Sequence, residues 1–106
     1  MSQHIDMARV RREALRWLIL LTLNNARPIG AFEGLVLSVA QSEYPDATGL
    51  ELRRELDYLE GRELVKIDKQ PTNRWHADLT RYGVDVAEYT IDCEPGISRP
   101  TKYWAG

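Results

Sequence analysis

The sequence has a single cysteine, Cys93, which excludes an intrachain disulfide framework and a cysteine-rich zinc site. Its two histidines, His4 and His76, lack the paired spacing of a helical metal site. Cys93 has no histidine near it in sequence, and no glycine-rich loop stands ready to cradle a phosphate. No enzyme, catalytic residue, metal or cofactor is therefore expected. Seven glycines and five prolines are too few for a low-complexity chain, and neither repeats nor a Gly/Ser-rich linker divides it. Long apolar runs are missing too. Trp17-Leu18-Ile19-Leu20-Leu21-Thr22-Leu23 falls far short of the roughly 20 residues that span a bilayer, so no membrane is expected. Without a signal-peptide pattern, the simplest compartment is a reducing cytoplasm. A basic excess is also absent. The net charge is −2, so any contact with nucleic acid has to come from a local patch.

What is present is enough apolar material for one core: 43% hydrophobic residues in 106. From about Ile5 to Asn25, Val10, Ala14, Leu18 and Leu21 recur at helical spacing, and the second half is apolar on every side. That half is expected to be buried all round, at the centre of the fold or in a dimer interface. Asn24-Asn25 and Pro28 end the helix, with a short strand or extended link around Arg27 to Ile29. A second helix is expected from about Ala31 to Ser42, then a turn at Tyr44-Pro45-Asp46. Thr48, with Glu51 three residues on, has the capping-box pattern that opens a third helix. Leu52, Leu56 and Leu59 stripe that helix, with Leu50 at its entry, and Gly61 ends it. Leu64 to Asp68 and Trp75 to Leu79 read as strands joined by a polar tip, Lys69 to Arg74. Tyr82 to Tyr89 predicts a short last helix. After Asp92, Pro95, Gly96 and Pro100 prevent regular structure.

The segment Leu52-Arg53-Arg54-Glu55-Leu56-Asp57-Tyr58-Leu59-Glu60-Gly61-Arg62-Glu63-Leu64-Val65-Lys66 resembles the recognition helix and wing entry of winged helix-turn-helix proteins. Leu79-Thr80-Arg81-Tyr82-Gly83-Val84 is similar to the step by which such domains leave the second wing strand. The resemblance covers about Val10 to Tyr89. It implies an α+β winged helix-turn-helix over residues 1–91, with three helices, a two-stranded wing and a short final helix, followed by an extended tail over 92–106. The ending Asp92-Cys93-Glu94-Pro95-Gly96-Ile97-Ser98-Arg99-Pro100-Thr101-Lys102-Tyr103-Trp104 more narrowly resembles small winged-helix proteins of Mu-like bacteriophages and prophages. That implies a phage-encoded regulator or assembly protein in the cytoplasm of a bacterial host.

The family resemblance implies double-stranded DNA as partner, bound by a homodimer. The helix over about 48–60 would enter the major groove and the wing over 62–79 would lie on the backbone. The implied DNA-binding residues are Thr48, Arg53, Arg54, Tyr58, Lys69 and Arg74. A guanidinium fork pairs with guanine O6 and N7, and a tyrosine hydroxyl can donate to a phosphate. Against this, Glu51, Glu55, Asp57 and Glu60 outnumber the two arginines of helix three. On a solvated helix such charges simply pair at helical spacing. The wing is basic by two charges, with Lys69 and Arg74 flanking its tip, although a charged hairpin also blunts a strand edge. Arg9, Arg12 and Arg16 share a face of helix one, expected to be solvated. Trp75 is expected beneath the wing, and Tyr103-Trp104 either fold back, swap into a second copy or dock on a protein partner. The alternative function is thus a protein-interaction or phage assembly module that keeps the fold without DNA. Acidic helix three and the aromatic-ended tail favour it.

Overall fold

The chain runs helix, strand, helix, helix, strand, strand, helix. The structure is a computed structural model and describes residues 4–102. Tyr103 and Trp104 lie outside the described residues. Helix α1 spans Met7–Asn25 and is opened by Asp6, whose carboxylate accepts from the Arg9 backbone N–H at 3.1 Å. Leu15, Ile19, Leu20 and Leu23 form its buried face. Within one copy, its second half is buried at the centre of the fold on this face alone. Leu18 and Leu21 stay half-buried and line an open groove of about 410 Å³ with Leu35 and Val39, a side that no element among the described residues covers.

Strand β1 is Ala31–Phe32 and helix α2 is Glu33–Glu43. This corrects two boundaries: the extended link lies after Ile29, and the second helix begins two residues later than its apolar pattern suggests. The cause is tertiary. Ala31 pairs with Ala77 and Phe32 with His76, which draws both residues into a ladder. Gly30, at φ +77, turns the chain into that pairing where a Cβ would strike the Ala77 carbonyl and the Asp78 carboxylate.

Helix α3 is Gly49–Gly61, strand β2 is Val65–Lys69 and strand β3 is Trp75–Leu79. The sheet is three-stranded and antiparallel in the order β1-β3-β2, so the two-stranded wing is part of a larger sheet. Gly61 is the last residue of α3, but the left-handed residue that closes it is Glu63, at φ 64. The Leu64 N–H reaches the Leu59 carbonyl at 3.0 Å and the Glu63 N–H reaches Glu60 at 2.9 Å, the paired closure of a Schellman motif. Thr80 then caps helix α4, Arg81–Ala87, its hydroxyl accepting from the Gly83 N–H at 3.0 Å.

Leu52, Leu56 and Leu59, the predicted stripe of α3, meet Ile19, Leu20 and Leu23 of α1 in one core with Val65, Trp75 and Val86. Residues 92–102 are irregular, as expected of the tail, yet packed. Ile97 is buried in that same core, and the Ser98 N–H donates to Glu13 O at 3.1 Å. Arg99 Nη1 donates to the carbonyls of Val86 and Ile91 at 3.0 and 2.8 Å. Among the described residues, four helices with a three-stranded antiparallel sheet make a small α+β, winged-helix-like fold.

Candidate nucleic-acid interface

Helix α3 starts where Thr48 stops the preceding turn: its hydroxyl oxygen accepts from the Glu51 N–H at 3.2 Å, leaving the hydroxyl proton free to donate outward. Only half of the capping box forms, because the Glu51 carboxylate turns to Arg11 of α1, which donates from Nε at 2.7 Å and Nη2 at 2.8 Å. Glu55, only 4% exposed, accepts from Arg16 Nε at 2.7 Å. Glu60 accepts from the backbone N–H of Ile67 in β2 at 2.8 Å. Three of the four carboxylates counted against DNA therefore point into the protein. Leu50, Arg54, Asp57 and Gly61, at steps of four, three and four, make up the exposed side of α3. Asp57 has a cation of its own, Lys69 Nζ at 3.5 Å.

Arg54 makes no hydrogen bond or ion pair with any described residue and projects into solvent. Arg53 does not. Its Nε and Nη2 donate to the two oxygens of Glu33 at 2.6 Å each, and Nη2 also reaches the Asn73 carbonyl at 2.7 Å. Its guanidinium lies 4.5 Å from the centre of the Trp75 ring, and Glu33 takes the Trp75 N–H at 2.7 Å. Expected in a groove, Arg53 is instead the bolt between α2, α3 and the wing tip. Those charged hydrogen bonds from Arg53, aided by the Trp75 N–H, hold the Glu33 carboxyl below the ordinary carboxylate range despite its burial.

Tyr58 is likewise turned away from the exposed side. Its hydroxyl accepts from Arg62 Nη1 at 2.6 Å, and its ring lies under the Arg16 guanidinium at 3.5 Å. Arg16 Nη1 and Arg62 Nη1 hold the Gly96 and Pro95 carbonyls at 2.9 and 2.8 Å, so the tail is strapped across this flank. Gly96, at φ +107, leaves room there that a Cβ would take from the Tyr58 hydroxyl. Of the arginine face expected on α1, Arg16 is thus internal, Arg9 pairs with Glu13 at 2.9 Å, and Arg12 remains exposed.

The wing divides its charges by strand alternation. Lys69 lies on the face turned to α3, 4.4 Å over the Trp75 ring, and Trp75 is buried beneath the wing as expected. Lys66, Asp68, His76 and Asp78 alternate onto the opposite face. Arg74 joins that side, 3.8 Å over the Phe32 ring, so Lys69 and Arg74 flank the tip from opposite faces. Arg54 stands on the exposed side of α3 and Lys69 approaches that side at Asp57, while Thr48 caps the helix start, Arg74 lies across the wing, and Arg53 and Tyr58 turn inward. Sequence reasoning missed Leu50, which is 63% exposed. It also missed Glu33 and Asn73, which hold Arg53; Asn73, at φ 63, is the residue whose turn character was visible.

Burial pushes the Cys93 thiol up, which leaves it less thiolate than a free cysteine. His76 Nδ1 is 3.8 Å from Asp78, and no cluster of three or more metal-ligating side chains exists among the described residues. No helix among the described residues is long and apolar enough to cross a membrane.

No protein-family model matches the chain, and no curated protein matches it in sequence. It is similar in structure to a proposed DNA-binding protein from Ralstonia eutropha JMP134, with a TM-score of 0.62 over 84% of this chain and 100% of the other, at 22% identity. At that identity the likeness establishes a shared fold.

Proposed function

We propose that this chain binds double-stranded DNA with α3 in the major groove and the β2–β3 wing on the backbone, and that it acts as a phage or prophage transcription regulator rather than an enzyme. The observation that carries the reading is the sidedness of α3. Glu51, Glu55 and Glu60 are held by partners within the fold, so the exposed side offers Arg54 with no partner among the described residues, and Lys69 offsets Asp57 one turn on. A carboxylate paired within the fold adds little repulsion at a phosphate, whereas an unpaired guanidinium is free for guanine or phosphate. The Ralstonia protein of similar fold, itself a proposed DNA-binding protein, is in keeping with this reading. Thr48 donates its hydroxyl proton to a phosphate, and Lys69 and Arg74 bracket the backbone from the two faces of the wing tip. Arg53 acts through the wing, as the residue that fixes its angle to α3.

The test is fluorescence anisotropy of a labelled random-sequence duplex at several salt concentrations. Binding weakens steeply with salt, and Arg74→Ala lowers the salt slope by about one. Absence of binding at low salt overturns the reading. It would leave the protein-interaction module, which the open apolar groove between α1 and α2 favours. Homodimerisation belongs to the same proposal: α1 carries Val10, Ala14, Leu18 and Leu21 on its outer side, next to Leu35 and Val39, and two copies would present two half-sites.

A further inference from the structure

We propose that Leu50 and Arg54 together read a thymine methyl and a nearby guanine, so that the preferred duplex carries a T within one or two base steps of a G·C pair. This rests on the DNA reading above and names what that site recognises. Leu50 is the second residue of α3, a large apolar side chain on the helix side that is otherwise polar or glycine, with Arg54, Asp57 and Gly61. It is 63% exposed, on the side opposite the buried stripe of Leu52, Leu56 and Leu59. The space beside it is open, since a Cβ built at Gly49 meets nothing within 4 Å. Arg54 follows one turn later on the same side without a partner among the described residues, while Asp57, one turn further, is drawn to Lys69 at 3.5 Å. The early half of the exposed side therefore offers one apolar group and one free guanidinium.

The major groove presents one apolar feature, the 5-methyl group of thymine, and one paired-acceptor edge, guanine O6 and N7. Leucine suits the first and arginine the second. Four helical residues rise about 6 Å, against about 3.4 Å per base step, which sets the separation of the two bases at one to two steps. Early residues of a recognition helix are also those that approach base edges.

The test is selection of bound duplexes from a random library by the parent and by Leu50→Ala, followed by titration of the best duplex with its selected thymines replaced by deoxyuridine, which lacks only the methyl. Leu50 is exposed, so Leu50→Ala keeps the fold, checked by its melting curve. The parent enriches a T near a G·C pair and loses about 4-fold in affinity on the deoxyuridine duplex, the worth of one buried methyl group. Leu50→Ala binds both duplexes equally. Arg54→Lys keeps the methyl dependence and relaxes the choice of G. Salt-dependent binding that is indifferent to the methyl in the parent overturns the assignment to Leu50 while leaving the DNA reading in place. Failure to retain any duplex at low salt overturns that reading and this inference together.

Discussion

Removing the carboxylate of Glu55 tests whether the acids of α3 belong to the fold or to the binding face. Glu55 and Arg16 retain 5% and 11% of their side-chain exposure, and Arg16 also holds the Gly96 carbonyl and stacks on Tyr58. Glu55→Ala leaves a guanidinium in that site with no counter-charge, and losing one partner of a buried pair costs about 3–5 kcal/mol. For a domain near 100 residues that is a fall in Tm of about 12 °C or more. Replacing both partners with apolar residues, Arg16→Met with Glu55→Leu, removes the stranded charge and leaves only the lost Gly96 and Tyr58 contacts of Arg16, so the double variant falls about 1–2 kcal/mol below the parent, short of Glu55→Ala. Circular dichroism melts of the three proteins measure this. The folded double variant also answers the functional question. Glu55 sits behind the exposed side, so duplex affinity at low salt changes by less than about twofold. A double variant that loses as much as Glu55→Ala, or more, refutes the pairing argument. A variant that binds DNA tenfold tighter would mean that Glu55 had been repelling phosphate, and the sidedness of α3 would be wrong.

The Arg53–Glu33 bolt depends on an ionised carboxylate whose folded pKa is depressed. Its stabilisation is therefore present above the ordinary carboxylate range and lost as pH falls through the depressed value. Protection of the Trp75 amide from hydrogen exchange should drop at acid pH in the parent, and an identical profile in Glu33→Gln would disprove the link. At Gly83, a Cβ would collide with the Leu64 carbonyl where α4 meets the wing. Gly83→Ala should cost about 3 kcal/mol or more by overpacking against backbone, and a melting curve matching the parent's would refute that contact. If α1 pairs with a second copy, Leu35→Glu leaves the melting curve of dilute protein unchanged and shifts sedimentation towards monomer. A parent that sediments as a monomer at micromolar concentration removes the dimer.

The start of α3 was legible because its signals are local: Thr48 and Glu51 lie within one turn, and Leu52, Leu56 and Leu59 repeat with the helix period. The wing hairpin was legible for the same reason. β1 was not, because two residues of a helical pattern become a strand only once β3 supplies the partner. The charges were misjudged most. Glu51 and Glu55 meet Arg11 and Arg16 across 40 and 39 positions, and Arg53 meets Glu33 across 20. A helical wheel of α3 alone places these side chains in water. Only the approach of α1 and α2 shows which are already neutralised, and that Arg54, not its neighbour, is free.

The bolt at Arg53 also bears on how fast and at what entropic expense a partner is met. Hairpin tips are usually ordered by whatever they touch, and each side chain immobilised on association takes about 0.5–1.5 kcal/mol from the affinity. Here Asn73 and Trp75 are already fastened to α2 and α3 before any encounter. The wing thus arrives preorganised, and its contribution should appear as a small ordering penalty and an association rate insensitive to tip flexibility. Loosening Arg53 would then weaken binding without removing a single contact to the ligand.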